Sequence, residues 1–111
     1  MSESGIIKVL FLCLIFLGVS LEAAGDILLK KWALETKNVL LLAGIFTYIL
    51  GGACWAISLK YDFLSKAISL FSILNLILVV IIGMIMFNED VSAINKIGIG
   101  LGIVSIILIE I

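Results

Sequence analysis

The chain has 111 residues, 64% of them hydrophobic and 14% charged, with no proline and a mean hydropathy of +1.40. Soluble domains carry about 25% charged residues and small ones bury only about 60% of the surface they would expose unfolded, so a chain this apolar requires lipid as its solvent. Seven lysines stand against eight acidic residues, for a net charge of −1, and there is no histidine. That balance lacks the basic footprint of a nucleic-acid partner. It also leaves no His-based catalytic triad and none of the usual zinc sites.

Lysines and acidic clusters divide the chain into four apolar stretches, at residues 6–29, 39–59, 67–87 and 93–109. About 20 apolar residues cross the hydrocarbon core at 1.5 Å per residue. In lipid each span must satisfy its own backbone hydrogen bonds, and the alternation of a barrel strand is absent, so all four are expected to be helices. The connections at 30–38, 60–66 and 88–92 are too short for a second domain. Residues 1–111 therefore read as a single all-α unit of four transmembrane helices. The first stretch is not expected to be a cleaved leader. Lys8 precedes its unbroken apolar run and Glu22-Ala23-Ala24-Gly25 holds small residues, but that run outruns the usual 7–15-residue signal core and continues through residues 27–29.

With four spans both termini lie on one side. That side carries Lys8, Lys60 and Lys66; the other carries Lys30, Lys31, Lys37 and Lys96. One lysine of difference is a weak orientation signal, compatible with a single topology or with insertion both ways round. Cys13 and Cys54 lie in apolar runs and match no metal-ligand spacing, so they read as small core residues.

The first span holds its most informative residue near its middle. Glu22 lies about 4–5 Å past the centre of the Lys8–Lys30 interval, where a charged side chain costs about 2.5–3.5 kcal/mol to insert and usually marks a pathway or a proton relay. Such a carboxyl can hold a proton or a cationic ligand, but both only at a cost, which is the physical core of an antiporter. The blander reading is a neutral Glu in an interhelical hydrogen bond. Asp26 follows at i+4 and Lys30 at i+8 on the same face. Asp26 is either a second titrating group coupled to Glu22 or half of an Asp26–Lys30 pair at the membrane surface. Gly18, Glu22, Gly25 and Asp26 form a small, polar stripe that must face protein or a cavity.

In the second span Gly44, Gly51 and Gly52 permit close packing. Tyr48 and Trp55 are either ordinary packing aromatics or the walls of a cavity for a lipophilic cation. The third span carries Ser65, Ser69, Ser72 and Asn75 at spacings of 4, 3 and 3, a polar seam along half a helix. The fourth has Gly98-x-x-x-Gly102 with Ser105 one heptad after Gly98, a helix-association pattern, and no internal charge before Glu110. Serines without a histidine base and glycines inside a membrane helix make no catalytic set or phosphate loop. Neither an enzyme nor a cofactor is expected.

On three segments the chain resembles the small multidrug resistance family of the drug/metabolite transporter superfamily. Glu22-Ala23-Ala24-Gly25-Asp26-Ile27-Leu28-Leu29-Lys30 is similar to that family's first-span signature: an intramembrane Glu, a Gly three later and a Lys eight later. Glu89-Asp90-Val91-Ser92 followed by Gly98 resembles the acidic turn and glycine that open the last helix across the superfamily. Trp55 through Leu59-Lys60-Tyr61, then Ser65 and Ala67, resembles the connection between spans 2 and 3. The resemblance implies an antiparallel homodimer in the cell (inner) membrane, held largely by the fourth span, in which Glu22 of both subunits binds protons and a small cationic or lipophilic substrate in turn. On this reading Asp26, Tyr48, Trp55, Ser72 and Asn75 complete the substrate and proton site, while Gly98, Gly102 and Ser105 serve packing and dimerisation.

Three departures leave the substrate open. The span 3 Tyr and Trp of the multidrug branch are absent, their places falling at Ile68 or Ser69 and at Phe71 or Ser72. The usual proline that starts span 3 is replaced by Phe63 or Leu64. The Trp that the guanidinium-exporting branch places three residues after its Glu is here Gly25. Two alternatives stand beside the exporter. One is a subunit, with a heterodimer then possible, of the pair of small four-span proteins that flip an aminoarabinose-modified lipid carrier, resembled around residues 72–75 and 89–92 but generally lacking the Glu. The other is a non-transporting accessory subunit of a larger membrane complex.

Overall fold

The computed structural model describes residues 3–110; Met1, Ser2 and Ile111 of the 1–111 unit lie outside the described residues. The described chain is four α-helices and no strand: α1 (Glu3–Glu35), α2 (Asn38–Ser58), α3 (Leu64–Met86) and α4 (Ala93–Glu110). Three of them, α1 to α3, are long and apolar enough to cross a membrane, and α4 is a shorter apolar helix. Its 18 residues rise about 27 Å, just under the roughly 30 Å hydrocarbon core.

The first helix runs well past the expected span. Its 33 residues rise about 50 Å, because the lysines at 30 and 31 end an apolar run without ending a helix. Lys, Ala, Leu and Glu over residues 30–35 are all good helix formers. Only Thr36 and Lys37 separate α1 from α2. Thr36 turns the chain in the left-handed region at φ 55°, its N–H on the Trp32 carbonyl at 2.6 Å, and α2 returns antiparallel to α1.

Between α2 and α3, fully buried Ser58 donates to the Trp55 carbonyl at 2.6 Å, and Asp62 pairs with Lys66 at 3.4 Å across the first turn of α3. After α3 the left-handed residue is Asn88 (φ 52°), a residue type that adopts this conformation at helix ends. The Glu89 N–H then reaches back to the Gly83 carbonyl at 3.1 Å. Ser92 caps α4, its Oγ accepting from the Asn95 N–H at 3.1 Å.

Packing is uneven. The most extensive contact is α1 with α2, followed by α1 with α3, while α4 leans chiefly on α3. Phe11, Ile15 and Val19, four residues apart on α1, meet Ala67, Leu70 and Phe71 of α3 in the buried core, and Trp55 and Ile106 pack against it from α2 and α4. Two glycine pairs hold α1 against α2. A Cβ on Gly18 would come 3.4 Å from the Gly51 carbonyl oxygen, and one on Gly44 would come 3.4 Å from that of Gly25. Both pairs repeat at seven residues, so the backbones stay close over two turns.

Elsewhere the surface is apolar. On α4, Ile94 is 79% and Leu108 is 66% exposed, as expected of helices solvated by lipid. Cys54 is half-buried in the α1–α2 seam, facing Gly18, but Cys13 is exposed on α1. Its apolar flanks reflect lipid contact, which hydropathy alone does not distinguish from a protein core.

Candidate functional site

Glu22 projects from the middle of α1 at the level of Gly51 on α2. A Cβ at Gly51 would lie 2.9 Å from Glu22 Cγ, so the missing side chain is what lets the carboxylate stem lie between the helices. From there Glu22 opens into a cleft of about 660 Å³ walled by α1, α2 and α3. Trp55 and Phe71 form one wall, their rings edge to face with centroids 5.0 Å apart. Ser72, Asn75, Leu76 and Val79 of α3 form another. Glu22 is the one ionisable residue in the lining. Within this cleft Asn75 Oδ1 is buried and has no hydrogen-bond partner.

Four residues anticipated from sequence therefore share one cleft: Glu22, Trp55, Ser72 and Asn75. The polar seam of α3 is divided. Ser69 turns its hydroxyl onto the Ser65 carbonyl at 2.7 Å, satisfying itself within the helix, and leaves Ser72 and Asn75 as the polar groups of the cleft. Thr47 does the same with Ala43 on α2, at 2.8 Å.

Tyr48 and Asp26 belong elsewhere. The Tyr48 hydroxyl donates to Oδ1 of Asp26, so Tyr48 does not join Trp55 in a shared aromatic wall. Its ring lies where a Cβ on Gly25 would be, which accounts for that glycine. Asp26 lines a separate cavity of about 150 Å³ with Lys30, Gly83 and Glu89 among its walls. The i+4 pairing of Asp26 with Lys30 is not adopted. Lys30 Nζ stands 3.7 Å from Glu89 Oε2 instead, at the α3–α4 turn, while the Asp26 carboxylate accepts from Tyr48.

The α4 residues divide as well. A Cβ on Gly98 would meet nothing within 4 Å, whereas one on Gly102 would lie 3.4 Å from Ile73 Cγ2 of α3. Ser105 bonds to the Leu101 carbonyl at 3.0 Å. Within the chain, close glycine packing belongs to α1 and α2. Among the described residues no group of three or more His, Cys, Asp or Glu side chains is placed to hold a metal ion.

A relative exists in Bacillus subtilis (strain 168): the protein described as uncharacterized membrane protein YvaE is 36% identical over 105 residues, covering 90% of this chain and 84% of the relative. The chain belongs to that membrane-protein family. Together with its three long apolar helices, this makes it a multi-pass membrane protein. No family model matches the chain, and no solved structure does.

Proposed function

We propose that the protein is a proton-coupled exporter of small cationic or lipophilic compounds, a transporter rather than an enzyme. It acts as an antiparallel homodimer in the cell (inner) membrane, in the manner of the small multidrug resistance proteins its sequence resembles. One observation carries the reading: the lone carboxylate of the cleft, Glu22, faces an aromatic wall and a polar one in a space large enough for a small organic cation. A carboxylate in such a place attracts a cation, Trp55 offers it a π-face, and a proton competes for the same oxygens. Outward substrate movement then follows from inward proton movement, because one site serves both.

The α4 helix supports assembly. Its Gly98 is open and its apolar side chains are exposed, so a second α4 can approach closely. The deciding experiment uses liposomes that contain only the purified protein. A pH gradient should drive uptake of a lipophilic cation, and Glu22→Gln should abolish it while inserting normally. Gradient-driven uptake that persists in Glu22→Gln, or its absence in the unaltered protein, would reject the proposal.

A further inference from the structure

Of the polar groups in the cleft, Asn75 is the one with a buried acceptor that the fold leaves unpaired. Its Oδ1 is buried without a partner, on the α3 wall of the space that Glu22 enters from α1. A buried acceptor left unmet costs free energy, and native structures keep few of them without a reason. Here neither neighbouring hydroxyl meets it. Ser69 has turned to its own helix, and the other lining residues besides Ser72 and Glu22 are apolar or aromatic.

We infer that Asn75 is a specificity residue, and that the cleft selects a cation carrying N–H donors, such as a primary alkylammonium, over a fully alkylated ammonium. The inference rests on the exporter reading of the same cleft and adds the chemistry of its cargo. Glu22 supplies the charge, which both kinds of cation satisfy. Asn75 Oδ1 supplies a neutral acceptor that only an N–H can satisfy. A quaternary cation fills the same volume and leaves that buried oxygen unmet, as it is in the empty cleft. Sites built around an acceptor discriminate in this way against analogues that lack the donor.

The test compares one alkylammonium with its N,N,N-trimethyl analogue of equal chain length, by equilibrium binding to the purified protein at a pH where both carry charge. The unaltered protein should prefer the primary cation by about tenfold or more, a difference of about 1.4 kcal/mol. Asn75→Leu, close in volume and without the acceptor, should lose most of that preference while holding the trimethyl probe about as well, which also reports a folded site. Asn75→Ala adds no bulk and takes its place should the Leu variant fail to insert. Equal binding of the two probes by the unaltered protein would overturn the inference and leave the exporter reading standing. So would a preference that survives in Asn75→Leu or Asn75→Ala. Failure of the unaltered protein to bind either probe would remove both.

Discussion

Lys30 and Glu89 form an ion pair, Nζ to Oε2 at 3.7 Å, that ties the C-terminal part of α1 to the turn between α3 and α4. These residues belong to the two most motif-like segments of the sequence, and the fold brings them to one wall of the cavity that Asp26 lines. Both side chains are about half exposed, so the pair itself contributes at most about 1 kcal/mol. Its position depends on Gly83. A Cβ there would occupy the place of the Glu89 carboxylate.

That dependence predicts coupling between Gly83 and Glu89. Alanine at a helical glycine gains about 1 kcal/mol of propensity, but at residue 83 it must push the carboxylate away from Lys30. Gly83→Ala alone should be nearly neutral to unfolding in detergent. In a Glu89→Ala background the same change should stabilise by about 1 kcal/mol, because nothing then opposes the gain. Effects that simply add across the double-mutant cycle would show that the contact carries no energy.

Gly51 and Gly52 are adjacent and should respond oppositely. A Cβ on Gly51 meets Glu22 Cγ at 2.9 Å and the Gly18 carbonyl oxygen at 3.2 Å, whereas one on Gly52 meets nothing within 4 Å. Backbone cannot swing aside as a side chain can. Gly51→Ala should therefore cost about 1–3 kcal/mol, the usual range for overpacking, and Gly52→Ala should be neutral or gain up to about 1 kcal/mol. Thermal unfolding of the two variants in one detergent decides it, and equal effects would place the helix seam elsewhere.

Much of this architecture was legible because lipid allows few alternatives. Apolar runs of about 20 residues must be helices, and a carboxylate among them must find protein or a cavity, so the four helices followed from spacing, while the choice between an interhelical hydrogen bond and a cleft for Glu22 did not. Helix ends were less legible, since Lys30 and Lys31 stop hydropathy but not helix propensity, and α1 continues to Glu35. Partners distant in sequence were not legible. Lys30 has Asp26 one turn away, yet its chosen partner sits on a turn whose position depends on how α3 packs. The α1–α2 seam did leave a signal: Gly18 and Gly25, like Gly44 and Gly51, are seven apart. Gly98-x-x-x-Gly102 is the more conspicuous pattern, although a Cβ on its first glycine would meet nothing within 4 Å.

An open Gly98 yields a prediction about assembly. Because a Cβ there would meet nothing within 4 Å, Gly98→Leu should change the unfolding of the protomer little while holding a second α4 at greater distance. Crosslinking in mild detergent should show a smaller dimer fraction. An unchanged dimer would move the interface to another face.

Asp26 and Tyr48 should matter less to cargo than Glu22 does. Their hydrogen bond lies beside the smaller cavity, and neither residue lines the cleft that holds Asn75 and Ser72. Tyr48→Phe removes the donor and leaves a partly buried carboxyl short of one hydrogen bond, a loss of about 1–3 kcal/mol. Stability should fall accordingly, while cation affinity in Tyr48→Phe and in Asp26→Asn stays within about tenfold of the unaltered protein. Complete loss of cation binding in Asp26→Asn, with normal insertion, would reverse the ranking of the two carboxylates.

The most demanding prediction concerns pH, and it follows from one carboxylate serving two ligands. If a proton must leave Glu22 before a cation binds, affinity rises with pH and levels off above the pKa of the site. Below that pKa each unit of pH should weaken binding tenfold per proton displaced, about 1.4 kcal/mol. In a dimer with two Glu22 residues facing one substrate the slope can approach a hundredfold, and the two titrations then belong to the pair rather than to either subunit. Protons should also appear in a weakly buffered solution as the cation binds, in the number the slope requires. A flippase or an accessory subunit makes no such demand, since neither needs proton exchange at this residue. Calorimetric titration of a lipophilic cation in two buffers of different ionisation enthalpy, repeated from acid to alkaline pH, measures affinity and proton release together. A flat profile without proton release would remove proton coupling at Glu22 even though the cleft bound its cation.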